Sequence, residues 1–195
     1  MRISCIRVRA VFAALLFGLA PGAAAQQGLL PLEGSPIAYR VNVPYPGWSN
    51  TSENGMMMIA RDEAMIIVTA TDLAVLQERP ASMSEEQYRR ILTERFMASD
   101  SVMMALTTRV VSRAAALEQE GLVQEVRTLG GQRAAYIRAR KVQDDGKTTW
   151  RQAYLTVKDG IMYMLVFVVQ DRNLDKHKDL FDRVHQSFEL AAAPK

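Results

Sequence analysis

Apolar and polar positions alternate from Ile37: Tyr39, Val41 and Val43 are separated by Arg40 and Asn42, the period of a strand with one buried face. In the "VPYPGWSN" that ends this run, Pro44 cannot donate to a ladder and Pro46-Gly47 favours a turn, so the strand is expected to stop there. Two apolar runs follow, Met56 to Ala60 and Met65 to Ala70; Arg61-Asp62-Glu63 between them predicts a hairpin. After a break around Pro80, Ser84 stands three residues before Gln87 in the spacing of a capping box. Tyr88, Ile91, Leu92 and Phe96 then fall on one helical stripe. A pause is expected near Ser99-Asp100-Ser101, with a second helical segment continuing through Val102, Leu106, Val110 and Leu117 to about Glu120.

From Gly121 the pattern becomes a meander. Leu122 to Leu129 alternates, Gly130-Gly131 turns it, Ala134 to Val142 runs back, and "QDDGK" turns it again into Trp150 to Val157. Asp159-Gly160 is a strong two-residue hairpin signal, which sets Val157 opposite Met162, Leu155 opposite Met164 and Ala153 opposite Val166. The last strand is apolar on both sides, with Tyr163, Leu165 and Phe167 opposing the Met162 side, so it needs cover above and below and should lie centrally. A closing helix over about Leu174 to Glu189 supplies one cover through Leu174, Phe181, Val184 and Phe188; the helices after Ser84 supply the other. The expected class is α+β, an antiparallel sheet of about six to seven strands covered by helices on both faces.

The N-terminus changes the reading of charge and compartment. Arg2, Arg7 and Arg9 precede an uncharged stretch from Ala10 to Ala25 that is too short to span a bilayer and ends in Ala23-Ala24-Ala25. This is the three-part pattern of a secretory signal peptide, cleaved after Ala25, and a periplasmic product is expected. Cleavage removes three basic residues, leaving 21 Lys plus Arg against 21 Asp plus Glu, so the net charge of +3 belongs to the leader. A neutral exported chain gives no electrostatic case for nucleic acid. Cys5 lies in the leader, so no disulfide is expected, and no second apolar span follows in the mature chain. The segments are therefore a leader (1–25), a flexible lead (26–35), a single domain (36–190) and a short tail (191–195).

The early strand ending in Pro and Trp, Gly131 before a strand, the hairpin from Trp150 to Val169 and the closing "FDRVHQSFEL" together resemble the Mog1/PsbP-like fold. That superfamily includes the photosystem II extrinsic protein PsbP, the periplasmic protein DcrB and adaptor-chaperones of type VI secretion. The resemblance covers nearly all of residues 36–190 and implies a helix-covered sheet that works as a binding or adaptor module.

The residues themselves offer little catalytic chemistry. His177 and His185, eight positions apart on one helix, sit about 80° apart around it and read as solvated or capping residues. No Gly-x-Ser-x-Gly elbow and no HExxH occurs, and "DGKT" at Asp145–Thr148 lacks the earlier glycine of a phosphate loop, so it reads as a turn. Ten methionines follow the leader, among them Met56-Met57-Met58, Met103-Met104, Met162 and Met164. Thioethers fill irregular cores, line adaptable binding surfaces and suit Cu(I). Arg127, Arg133, Arg138, Arg140, Lys141, Lys147 and Arg151 face only Asp144 and Asp145 between Arg127 and Arg151. This excess reads as solvated charge or as a hold for an anionic partner. The expectation is a non-enzymatic exported adaptor with a protein partner and no cofactor or metal, its candidate surface formed by Tyr45, Trp48, Arg138, Arg140 and Arg151. The alternative is a small-ligand, lipid or Cu(I) module using an apolar, Met-rich cleft between the sheet and the helices after Ser84.

Overall fold

A computed structural model describes residues 28–33, 39–45, 47–53, 56–75, 79–115, 122–143 and 145–190. The expected leader and the tail lie outside the described residues. A seven-stranded, wholly antiparallel sheet has the order β3(Ser49–Glu53), β4(Met56–Arg61), β5(Ala64–Asp72), β9(Ile161–Gln170), β8(Thr148–Lys158), β7(Gln132–Val142), β6(Val123–Leu129). A smaller three-stranded sheet pairs β1(Gly28–Glu33) and β10(Glu189–Leu190) with the two sides of β2(Tyr39–Tyr45). The helices are α1(Glu85–Phe96), α2(Asp100–Ala115) and α3(Leu174–Gln186).

The strand apolar on both faces, β9, is the central strand of the seven. Its hairpin with β8 has the expected register, Val157 opposite Met162, Leu155 opposite Met164 and Ala153 opposite Val166. Asp159 and Gly160 both take positive φ, 53° and 75°, as a twist-matched two-residue loop requires. On one face α3 lays Leu180, Phe181 and Val184 against Ile66, Val68, Leu165, Phe167 and Val169, and Tyr39, Val41 and Val43 of β2 extend this core. On the other face Phe96 and Met103 pack on Ala135, Leu155 and Val157.

Three differences from the sequence reading have simple causes. The lead read as flexible contains β1, in register with β2 from Gly28 opposite Tyr45 to Glu33 opposite Arg40. The strand β2 does not stop at Pro44 but continues to Tyr45, because β10 reaches only Tyr39 and Arg40, leaving one side of Pro44 without a strand to receive an N–H. The strand β3, "SNTSE", carries no apolar alternation because it is an edge held by the backbone ladder to β4.

The start of α1 is set by the expected capping box: the Gln87 N–H donates to Ser84 Oγ at 3.2 Å and the Ser84 N–H donates to Gln87 Oε1 at 3.1 Å. Ser84→Ala should lower stability by about 1 kcal/mol, read as a shift of the urea midpoint with an unchanged slope; an unshifted midpoint would mean that α1 does not depend on its cap.

Candidate functional site

Burial along the two middle strands is uneven in a regular way. In β5 and β9 every α3-facing residue from Ala64 to Ala70 and from Ile161 to Val169 is buried, while every residue between them is only half-buried. Central strands of a doubly covered sheet should be buried on both sides, so the cover over the second face is partial. The reason lies in where α2 is pinned. Asp100 at its start pairs with Arg133 of β7 at 3.2 Å, and two turns on Thr108 Oγ1 accepts from Gln124 Nε2 of β6 at 2.7 Å. Those two contacts hold the helix above β6 and β7, where Ala135 is fully buried beneath it.

What remains half-open is the quarter of the sheet floored by β4, β5 and β9, bordered on β8 by Arg151, whose companions on that face, Thr149, Ala153, Leu155 and Val157, are all buried. Strand alternation and register place Met58, Ile67, Val166 and Ala153 in one row across it, and Ala60, Met65, Val168 and Arg151 in the next. Met58, Met65, Ile67, Val166 and Val168 are half-buried, and Met56 at the margin is 37% exposed. The methionines thus divide by position: Met57 and Met103 are core, Met162 and Met164 pack beside the α2 core, and Met56, Met58 and Met65 line the open quarter.

Arg151 closes one end of this apolar floor. Its register neighbours are Ala139 of β7 and Val168 of β9, neither of which can pair with it. Its Nε is buried with no hydrogen-bond partner, and burial draws its guanidinium below the ordinary arginine value with no carboxylate opposing that fall. Lys141, diagonal to it across the β7–β8 pair, adds to the positive end.

The other residues singled out from sequence lie elsewhere. Arg138 and Arg140 alternate onto the α3 face of β7, where the Arg138 guanidinium stands 5.5 Å from the centre of the Trp150 ring and Arg140 is in register with Trp150. The two arginines are therefore brought together, and Arg151 faces away from both. Tyr45 has its backbone in β2; its side chain lies outside the described residues. Trp48 is half-buried, edge-on to His177 with ring centres 5.9 Å apart. Much of the basic run is neutralised by acids: Arg127 pairs with Glu125 at 2.7 Å, Arg133 with Asp100 and Lys147 with Asp145.

Neither histidine stands free in solvent: His185 is half-buried and His177 buried. His185 stacks on Tyr154 at 4.2 Å with its Nε2 2.7 Å from the Thr128 carbonyl oxygen, and His177 is buried against Phe181 and Trp48. Burial, then the nearby charges of Lys176 and Arg61, hold His177 below the usual imidazole value of 6.5, with a smaller opposing pull from Asp62. The unfolded chain therefore binds the proton more readily, and stability that is full above the unfolded value is lost as the pH falls through the lowered folded value. His177→Gln should flatten the acid side of the stability–pH profile; an identical slope in the variant would rule this out. Among the described residues, no group of three or more His, Cys, Asp and Glu side chains is placed to hold a metal ion.

No family model and no curated protein matches the chain. Solved structures do. The cyanobacterial PsbP (CyanoP) of Synechocystis sp. PCC 6803 aligns with a TM-score of 0.54 at 16% identity over 88% of this chain and 98% of its own. A protein from Bacteroides thetaiotaomicron aligns at 0.49 and 12% identity, over 86% of this chain and 50% of its own. LpqN of Mycobacterium tuberculosis, described as involved in cell envelope biogenesis, aligns at 0.41 and 12% identity, over 86% and 92%. The Mog1/PsbP-like architecture read from the order of elements is thus the fold of this chain. Likeness at this identity speaks for the fold and not for an activity.

Proposed function

We propose that this chain is an exported, non-enzymatic binding module, and that its working surface is the open quarter of the sheet beside α2. Export rests on the leader pattern of residues 1–25. Among the described residues, no helix is long and apolar enough to cross a membrane. The observation that carries the binding role is the half-burial of every residue on one face of β5 and of β9, the two strands at the middle of the sheet. A central apolar face left half-exposed is a standing cost in water that an apolar occupant would relieve.

The size of the face bears on its occupant. From Arg151 on β8 to Met58 on β4 is three strand spacings, about 14 Å, and the apolar rows from Met56 to Met65 extend about 13 Å along the strands. That is roughly 200 Å², well short of the ~800 Å² per partner of a standard protein interface. The patch fits a small apolar ligand better than a whole protein face, so the small-ligand reading is preferred here to the adaptor reading.

The test is a titration of the full chain with Nile red, an uncharged apolar dye. We expect saturable binding that Ile67→Glu abolishes and that Val102→Glu, on the exposed side of α2, leaves intact. Equal binding by both variants, or none by the parent chain, would refute the assignment.

A further inference from the structure

We propose that the open face takes a single-chain fatty carboxylate, its head held by Arg151 and its alkyl chain laid over Val168, Val166, Ile67 and Met58. This deepens the preceding reading and rests on it. Three observations lead to the head group. Arg151 is the cation at the border of the apolar rows: Ala139, Val168 and Ala153 adjoin it on one side of its face, and Thr149, Lys141 and Gln170 lie on the other. Among the described residues no carboxylate pairs with it, unlike Arg127, Arg133 and Arg89, which each have one. Its Nε is buried and unpartnered, so part of the guanidinium has given up water without receiving a hydrogen bond in return.

An arginine so placed is incomplete without an anion. The planar fork binds a carboxylate through two parallel N–H donors, the geometry in which arginine holds this group best. The adjoining surface supplies the rest. Valine, isoleucine and methionine side chains continue from Arg151 across three strands without an intervening charge, for about 14 Å. An alkyl chain lying along that row would bury the methylenes that the sheet leaves half-exposed, while Met58 and Met65 adapt to its exact path. Lys141 reinforces the sign of the potential at the head end. On the opposite face the Nε atoms of Arg138 and Arg140 are likewise buried without a hydrogen-bond partner, but there the Arg138 guanidinium already has the Trp150 ring 5.5 Å away, and the core beyond it is sealed rather than half-open.

The same geometry carries a second consequence in the free protein. A desolvated, unpaired arginine on an apolar floor is a liability to stability, so Arg151→Met, which keeps the length of the stem, should raise the thermal midpoint of the ligand-free chain.

The experiment is calorimetric titration of the full chain with laurate, dodecanol and dodecylamine, below their aggregation concentrations, alongside Arg151→Met, Arg151→Lys and Arg138→Met. Laurate should bind at least ten-fold tighter than dodecanol, and dodecylamine should bind weakest. Arg151→Met should weaken laurate about ten- to a hundred-fold, leaving dodecanol unchanged. Arg151→Lys should fall between, keeping the charge but losing the fork, and Arg138→Met should bind as the parent does. Equal affinity for laurate and dodecanol, or laurate binding untouched by Arg151→Met, overturns the inference even where Nile red still binds and Ile67→Glu still abolishes it. Loss of Nile red binding as well would refute the binding face itself.

Discussion

Replacing Gly160 with alanine is expected to destabilise the fold by about 2–4 kcal/mol, because two penalties act at one atom. Gly160 has φ of +75°, where an L side chain costs about 1–2 kcal/mol. An added Cβ would also lie 2.7 Å from both Cβ and Cγ of Arg89 and 2.9 Å from its Cα, so the backbone of α1 would have to retreat. That retreat has further costs. The Gly160 N–H donates to Thr93 Oγ1 at 2.8 Å and its carbonyl accepts from Leu73 N–H at 2.9 Å, while Arg89 is paired with Asp72 at the end of β5. The β8–β9 turn, α1 and β5 are thus fastened at one glycine. Gly131 is the control: its φ is +76°, but nothing lies within 4 Å of an added Cβ. Gly131→Ala should therefore pay only the conformational term, about 1–2 kcal/mol. Urea unfolding of both variants decides the matter, and equal losses would show that contact with α1 contributes nothing.

That fastening shows which parts of the fold could be read from residues and which could not. The Asp159-Gly160 dipeptide announced a two-residue turn and with it the register of β8 and β9, because the turn type fixes which residues face each other. Ser84 and Gln87 announced the start of α1 for an equally local reason. A pause does separate the two helices, but it falls at Met97 to Ser99 rather than Ser99 to Ser101, because α1 ends at Phe96 and Asp100 already opens α2. The elements that escaped, β1, β3 and β10, are strands that owe their pairing to neighbours supplied by distant parts of the chain: Leu190 pairs with Tyr39, and "SNTSE" follows the ladder of β4. No local pattern can carry that information.

The site divides along the same line. Sequence singled out Arg151 by its membership in a basic run, yet treated the run as one patch. Period-two alternation along β7 and β8 splits it, sending Arg138 and Arg140 to one face and Arg151 to the other. The acids that neutralise Arg127 and Arg133, Glu125 and Asp100, fall outside the segment over which charge was counted. The sequence reading places a Met-rich cleft between the sheet and the helices after Ser84; the half-exposed face lies instead beside α2, over β4, β5 and β9. That position was not foreseeable, because it depends on α2 settling over β6 and β7 through Thr108 and Arg133 rather than over the middle of the sheet.

The second large effect concerns the opposite face, and it separates holding the fold from binding. Phe181→Ala should cost about 3–5 kcal/mol. Phe181 is 2% exposed and stacks on Phe167 with ring centres 4.5 Å apart; it also stacks on His177, which in turn meets Trp48 edge-on. Because Phe167 belongs to the central strand, the cavity would open where the sheet is least able to relax, between strands paired on both sides. Met58→Ala, on the half-open face, removes a half-buried side chain and should cost about 1 kcal/mol, roughly half of what full burial of a methionine is worth. The two variants should also differ in binding. At temperatures where Phe181→Ala remains folded, it should take laurate with the affinity of the parent, since α3 lies across the sheet from Arg151; Met58→Ala should bind more weakly while remaining nearly as stable. If Phe181→Ala instead lost laurate binding while still folded, the two faces would not be independent, and the division of labour between a sealed α3 side and an open α2 side would have to be abandoned.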